Sequence, residues 1–325
     1  MEWRILVAPH ARGLSRVQRR ELLAMGGVGV APAPLVARLP QALLGLAGFL
    51  AGLGLTFAVA ANWGAMSRLL QFAVLQAAVA LGAIGVIAWP RGRLPLGLWC
   101  LLSTGGLLAY FGQTYQTGAD AWQLFALWSA LVLPLALGVR SDALWSAWVL
   151  VTMTAVALWM STLTAHRWDA DADVIVHLPG WGLALTLVLA LGSPWGRRAG
   201  ADLWSSRTAA FLALFMVTAT AVIALFGHEP ALMVALALLV LGLMAGSAAR
   251  PSSFDVFTLS GAALAIDVLL MGVWMRAMFG NGRSRGDEIG LLLLTGLVAA
   301  ALLALTVTFV LNRQRAVARQ SGGRA

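Results

Sequence analysis

From residue 41 almost to its end the chain is a succession of apolar runs, and nothing else constrains its fold as strongly. Runs of roughly 20 residues are what a helix needs to cross a hydrocarbon core of about 30 Å. A backbone in lipid must satisfy its own hydrogen bonds, which leaves helices and closed barrels as spanning structures. Barrel strands alternate apolar and polar side chains with period two, and these runs do not. The expected fold is therefore all-α, a polytopic transmembrane helix bundle of about ten spans. The runs cover residues 41–61, 69–89, 95–112, 122–139, 143–163, 174–192, 208–227, 231–249, 256–279 and 289–311. Pro, Gly and polar residues interrupt the third and the sixth. Three parts follow: a basic N-terminal tail at 1–40, the transmembrane bundle at 41–311 and a basic C-terminal tail at 312–325.

Charge gives the orientation. Only 11% of the residues are charged, less than half the roughly 25% of a soluble domain, so lipid must cover most of the surface. All 22 basic residues are Arg, and 17 of them fall in the two tails and the loops after even-numbered spans. Positive charge stays on the cytoplasmic side, which predicts a bacterial inner-membrane protein with both termini in the cytoplasm. In the tail, Leu14, Val17, Glu21, Leu22 and Met25 approximate a helical stripe beside Arg16, Arg19 and Arg20. A short amphipathic helix on anionic lipid fits that pattern. The arginines Arg12, Arg16, Arg19 and Arg20 follow the first apolar patch rather than precede it, which is not the order of a signal peptide.

Composition also removes chemistry. Without Lys there is neither a phosphate-binding P-loop nor a Schiff-base lysine. Cys100 is the one cysteine, so no intrachain disulfide and no cysteine metal site is expected. His10, His166, His177 and His228 lack metal-ligand spacing. No metal and no cofactor is expected. The net charge of +9 reads as topogenic, because nucleic-acid binding would need a basic soluble module and residues 1–40 are the only extramembrane stretch of any size. The expected partner is the lipid bilayer, with a membrane-protein partner or a second copy as a further option, and no nucleic acid.

Gly282-Arg283-Ser284-Arg285-Gly286 matches a nucleophile elbow only in letters. The elbow needs a preceding strand and a later histidine; here it is an inter-helix loop, and no His follows His228. Trp63, Trp89, Trp122, Trp168, Trp195 and Trp274 fall near span ends, where an interfacial belt places them. Trp128 and Trp148 lie deeper and read as packing. Gly48 with Gly52, and Gly242 with Gly246, have the spacing that lets helices approach closely.

Two polar segments stand out. Ala60-Ala61-Asn62-Trp63-Gly64-Ala65-Met66-Ser67-Arg68 closes the first span, and Phe111-Gly112-Gln113-Thr114-Tyr115-Gln116-Thr117-Gly118-Ala119-Asp120-Ala121-Trp122 joins the third to the fourth. With the flanking helices, over about residues 40–140, they resemble an uncharacterised bacterial membrane-protein family, domain of unknown function 2157. Its members similarly show Ala-Asn-Trp followed by an arginine, then Gly-Gln-x-Tyr with a nearby Gly and Asp. They often carry an acid directly after the Trp, where this chain has Gly64. The resemblance implies a multi-spanning membrane protein and supplies no activity. Structurally, Asp120 with Gln123 fits a capping box, Gly118 permits the turn before it, and Asn62 terminates a helix. Functionally, Asn62, Gln113, Tyr115 and Asp120, with His177, form a candidate polar pocket on the outer side.

Asp267 is the acid set deepest in a span, twelfth in the run 256–279. An acid there costs roughly 2.5–3.5 kcal/mol on insertion scales, so it must face the bundle or a wet cavity. Arg276 cannot pair with it, because nine residues place the two on opposite faces of one helix. Ser260 and Trp274, seven residues away on either side, share its face. Three function classes stay open: a permease-like protein with a path near Asp267, a non-catalytic scaffold or accessory subunit, and a membrane enzyme acting on a lipid-linked substrate. An enzyme is the least favoured, because Asp169, Asp171 and Asp173 are the only run of acids at one interface.

Overall fold

Helices account for nearly all of the computed structural model, which describes residues 60–115, 118, 120–163, 174–226, 230–279 and 288–322, with isolated positions between 15 and 57. No strand occurs among the described residues. The chain forms two compact units, Met1–Gln71 and Phe72–Ala325.

In the first unit, Ser15 and Gln18 bond reciprocally through their side chains and backbone N–H groups, at 3.1 and 3.3 Å. This is a capping box, and it starts a helix in the tail where the amphipathic stripe was expected; Leu14, Glu21, Leu22 and Met25 lie outside the described residues. Leu39, Leu43, Leu46, Leu50 and Phe57 are helical and exposed. Their spacing of three to seven residues traces one apolar face of the first expected span, most of which lies outside the described residues. That helix ends at Asn62, as expected, in a short 3-10 turn over Trp63–Ala65.

The long helices are α1 (Arg68–Ala88), α2 (Arg93–Tyr115), α3 (Ala121–Val139), α4 (Asp142–Leu163), α5 (Val174–Gly192), the short α6 (Pro194–Arg198), α7 (Leu203–Leu225), α8 (Pro230–Ala248), α9 (Val256–Phe279) and α10 (Glu288–Gly322). Eight helices among the described residues are long and apolar enough to cross a membrane. α5 is the exception, with a shorter apolar stretch and Pro179 inside it. The chain runs up and down, so the helices have a Tyr115 end and an Asp142 end. The most buried are α4 and α7, and the most exposed is α10, where Val310 is the one buried residue among those described. α10 continues through the basic stretch that follows the last expected span, as one helix to Gly322, 35 residues or about 52 Å long.

Tryptophans join neighbouring helices. Indole N–H groups of Trp99, Trp128 and Trp148 donate to Ala78, Leu101 and Ser129 carbonyls on the preceding helix, at 2.9–3.0 Å. Trp181 on α5 donates to Thr220 on α7, and Trp274 on α9 to Thr295 on α10. An indole donor in hydrocarbon has no water to turn to, so each bond contributes about 1 kcal/mol. Trp274, expected in the interfacial belt, is thus an inter-helix fastener; Trp89 and Trp195 are exposed as a belt requires. Trp128 lies so close on α2 that a Cβ at Gly105 would collide with its ring.

The Asp142 end is knitted by polar groups. The Asp142 carboxylate accepts from the backbone N–H groups of Asp202, Trp204 and Ser205 at 2.8–2.9 Å, filling the orphan donors that open α7. Trp145 donates to Ala199 O at 2.8 Å. Arg207 on α7 grips Asp255 with Nε and Nη2, at 3.1 and 2.6 Å. The other Asp255 oxygen accepts from Thr258 N and Oγ1 and so caps α9. Arg313 on α10 donates to Ala249 O at 2.8 Å, satisfying a carbonyl left over at the end of α8.

Candidate functional site

Asp267 occupies the middle of α9, which packs against α7, α8 and α10. Helix geometry puts it about 17 Å from either end. One carboxylate oxygen, Oδ2, is buried and has no hydrogen-bond partner among the described residues. An unpaired buried polar group is costly, and an unpaired charge more so. Arg276, nine residues on, donates to Leu225 O on α7, so the helix's own cation is engaged away from the acid.

Asp267 opens onto a cleft of about 460 Å³ between α8, α9 and α10. On α8 the wall is Gly242, Ala245, Gly246 and Ala249; on α10 it is Leu305, Thr306 and Phe309. A Cβ at Gly242 or Gly246 would meet nothing within 4 Å. The glycine spacing read as a close helix approach therefore lines open space. Close approach falls elsewhere, at Gly82 against Cys100 and Gly85 against Leu96. The cleft runs from mid-helix toward the Asp142 end, where the Arg313–Ala249 bond joins its two outer walls.

His177 is the second unpartnered group. It is only 5% exposed, and neither ring nitrogen has a hydrogen-bond partner among the described residues. Its helix α5 packs against α4 and α7. Trp181, one turn on along the same face, bonds Thr220 of α7, which sets His177 toward that core.

The other expected pocket residues lie differently. Gln113, Tyr115 and Asp120 are exposed, at the end of α2 and the start of α3. Tyr110 and Tyr115 join Phe72 and Phe111 in an aromatic cluster with ring centroids 4.7–6.5 Å apart. Gly118 has φ +64°, the left-handed turn expected of it. Asp120 is the N-cap residue of α3, yet its side chain makes no capping bond, so the expected capping box is not formed. Asn62 is exposed and belongs to the first unit. His10, His166, His228, the acids Asp169, Asp171 and Asp173, and the segment 282–286 lie outside the described residues.

Sequence reasoning found Asp267 and missed its cleft. It also missed the pairing of Arg207 with Asp255, although an Asp directly before an apolar run is an N-cap signal. Burial alone would raise the Asp255 carboxyl. Hydrogen bonds from Arg207 and Thr258, and the Arg207 charge, outweigh it and hold the group below the ordinary carboxylate value.

Residues 11–145 match the model of a family described as predicted membrane protein (DUF2157). The match spans both polar segments and bears out the resemblance they suggested. It begins at residue 11 rather than near 40, so the basic tail is part of the matched region, whereas His177 and Asp267 lie beyond it. No curated protein and no solved structure matches the chain. It is a membrane protein with several spanning helices.

Proposed function

We propose that this is a permease-like protein of the bacterial inner membrane, with both termini in the cytoplasm and a ligand path passing Asp267. The observation that carries this reading is Asp267 halfway along α9, with a buried Oδ2 that no described residue bonds and an open cleft beside it. A carboxylate kept there without a structural partner is a functional group by default. The cleft lies in the half nearer the Asp142 end, which is the cytoplasmic half in this orientation. Gln113, Tyr115 and Asp120, exposed together at the Tyr115 end, are proposed as polar groups on the external side. Orientation rests on the arginine distribution. Reporter fusions at residue 325 and within 193–207 are expected to read cytoplasmic, and fusions within 116–119 and 169–173 external.

A second reading, as a scaffold, is favoured by α10, which is exposed along most of its length, with Val310 its one buried residue among those described. A single cysteine at Thr306→Cys, with Cys100→Ala, separates the two. On a ligand path, a small membrane-permeant maleimide reacts with residue 306 in native membranes. Protection in native membranes that disappears on purification would mean that a partner helix fills the cleft, and the permease reading would fall.

A further inference from the structure

We propose that the Asp267 cleft binds a lipophilic amine that enters sideways from the bilayer. The proposal rests on reading the cleft as a ligand path and names the class of ligand. Its route of entry comes from exposure. Gly242 and Gly246 are exposed, and Leu305 and Phe309 are 69% and 53% exposed. The mouth therefore lies on the outer surface of the bundle, at a depth where acyl chains surround the protein. At the Asp142 end the Arg313–Ala249 bond ties α10 to α8 and stands between the cleft and that aqueous face.

The chemistry of the ligand comes from the lining. Among the described residues its polar side chains are Asp267 and Thr306; the rest are small or apolar. A carboxylate oxygen without a partner calls for a hydrogen-bond donor, and a cationic donor is the strongest complement. The remaining wall calls for hydrocarbon. Size agrees, since pockets for small molecules run from roughly 300 to 1,000 Å³. Depth excludes the amines of lipid headgroups, because Asp267 lies about 17 Å from either helix end. The amine must therefore ride on a compact apolar molecule that dissolves in the membrane. A chain without lysine has no primary-amine side chain of its own to fill this place.

The test uses the full chain in lipid nanodiscs, with dodecylamine as probe and dodecanol as its uncharged counterpart. Thermal unfolding is followed by tryptophan fluorescence. Dodecylamine is expected to raise the wild-type midpoint at concentrations where dodecanol leaves it unchanged, since a ligand that binds only the folded state stabilises it. Asp267→Asn keeps the shape and removes the charge, and is expected to weaken the response at least tenfold. Gly246→Leu fills open space without touching Asp267, and is expected to abolish it. Equal responses to amine and alcohol, or wild-type responses from both variants, overturn the proposal. If Asp267→Asn does not fold, Gly246→Leu decides alone. Reaction of the Thr306→Cys variant in native membranes while dodecylamine fails to bind removes the ligand class and leaves the path. Binding together with a protected cysteine does the reverse.

Discussion

Asp255 and Asp267 stand twelve residues apart on one stretch of chain, and the protein treats them in opposite ways. Asp255 has Arg207 on one oxygen and Thr258 on the other. Asp267 lines a cleft and has a buried oxygen that no described residue bonds. The paired acid joins α7 to α9 and closes a helix end, so its presence is explained by the fold. The unpaired acid costs the fold and returns nothing to it. Where a bundle satisfies its polar groups as fully as this one does at the Asp142 end, an exception points to a ligand rather than to loose construction.

Stability measurements can break that comparison, and the largest effect belongs to the most fully used acid. Asp142→Ala strips the acceptor from three backbone donors at the start of α7 at once. Water reaches part of that site, so the loss is expected at about 2 kcal/mol. Detergent-solubilised protein unfolded by heat or denaturant measures it. A loss too small to detect would mean that the knot at this end is ornamental, and the contrast with Asp267 would weaken.

Asp255 comes next. Its group and Arg207 are each about a quarter exposed, so solvent screens the pair, and Asp255→Asn is expected to cost about 1 kcal/mol. The sign of the pH effect follows from a carboxyl held below its ordinary value. Its contribution is fully present above the unfolded value, near pH 4, and is lost as the pH falls through the lower folded value. Wild type should therefore lose this increment on acidification while Asp255→Asn does not. Parallel pH profiles would show that the pair contributes nothing.

How much of this was legible beforehand differs between fold and site. Run length and arginine placement were enough for a helical bundle, because hydrocarbon imposes one solution on the backbone. Asp267 was legible because an acid amid 24 apolar-rich residues is improbable by composition. Its cleft was not, since Gly242 and Gly246 read the same whether a helix or empty space faces them. The tryptophan bonds were illegible for a related reason: the acceptors of Trp99, Trp128 and Trp148 are backbone carbonyls, which every residue carries. Asp120 shows the reverse failure, a sequence signature for a cap whose bond the local geometry does not make.

The smallest effect on stability is expected where the sequence alone would have put a large one. A structural Asp267 would be bonded to a neighbouring helix, and replacing it by Leu would remove that bond and destabilise the bundle. With Oδ2 partnerless there is no bond to lose. Asp267→Leu instead removes a buried polar atom and adds apolar surface beside Ala263 and Ile266, in a cleft with room for it. Exchanging an unpaired buried group for an apolar one is neutral or stabilising, so the unfolding free energy should change by less than about 0.5 kcal/mol or rise. Asp267→Asn should be equally silent in stability. Both variants should lose the response to dodecylamine. A loss above about 2 kcal/mol in the Leu variant would instead reveal a partner for Asp267 and place it beside Asp255 as a structural acid.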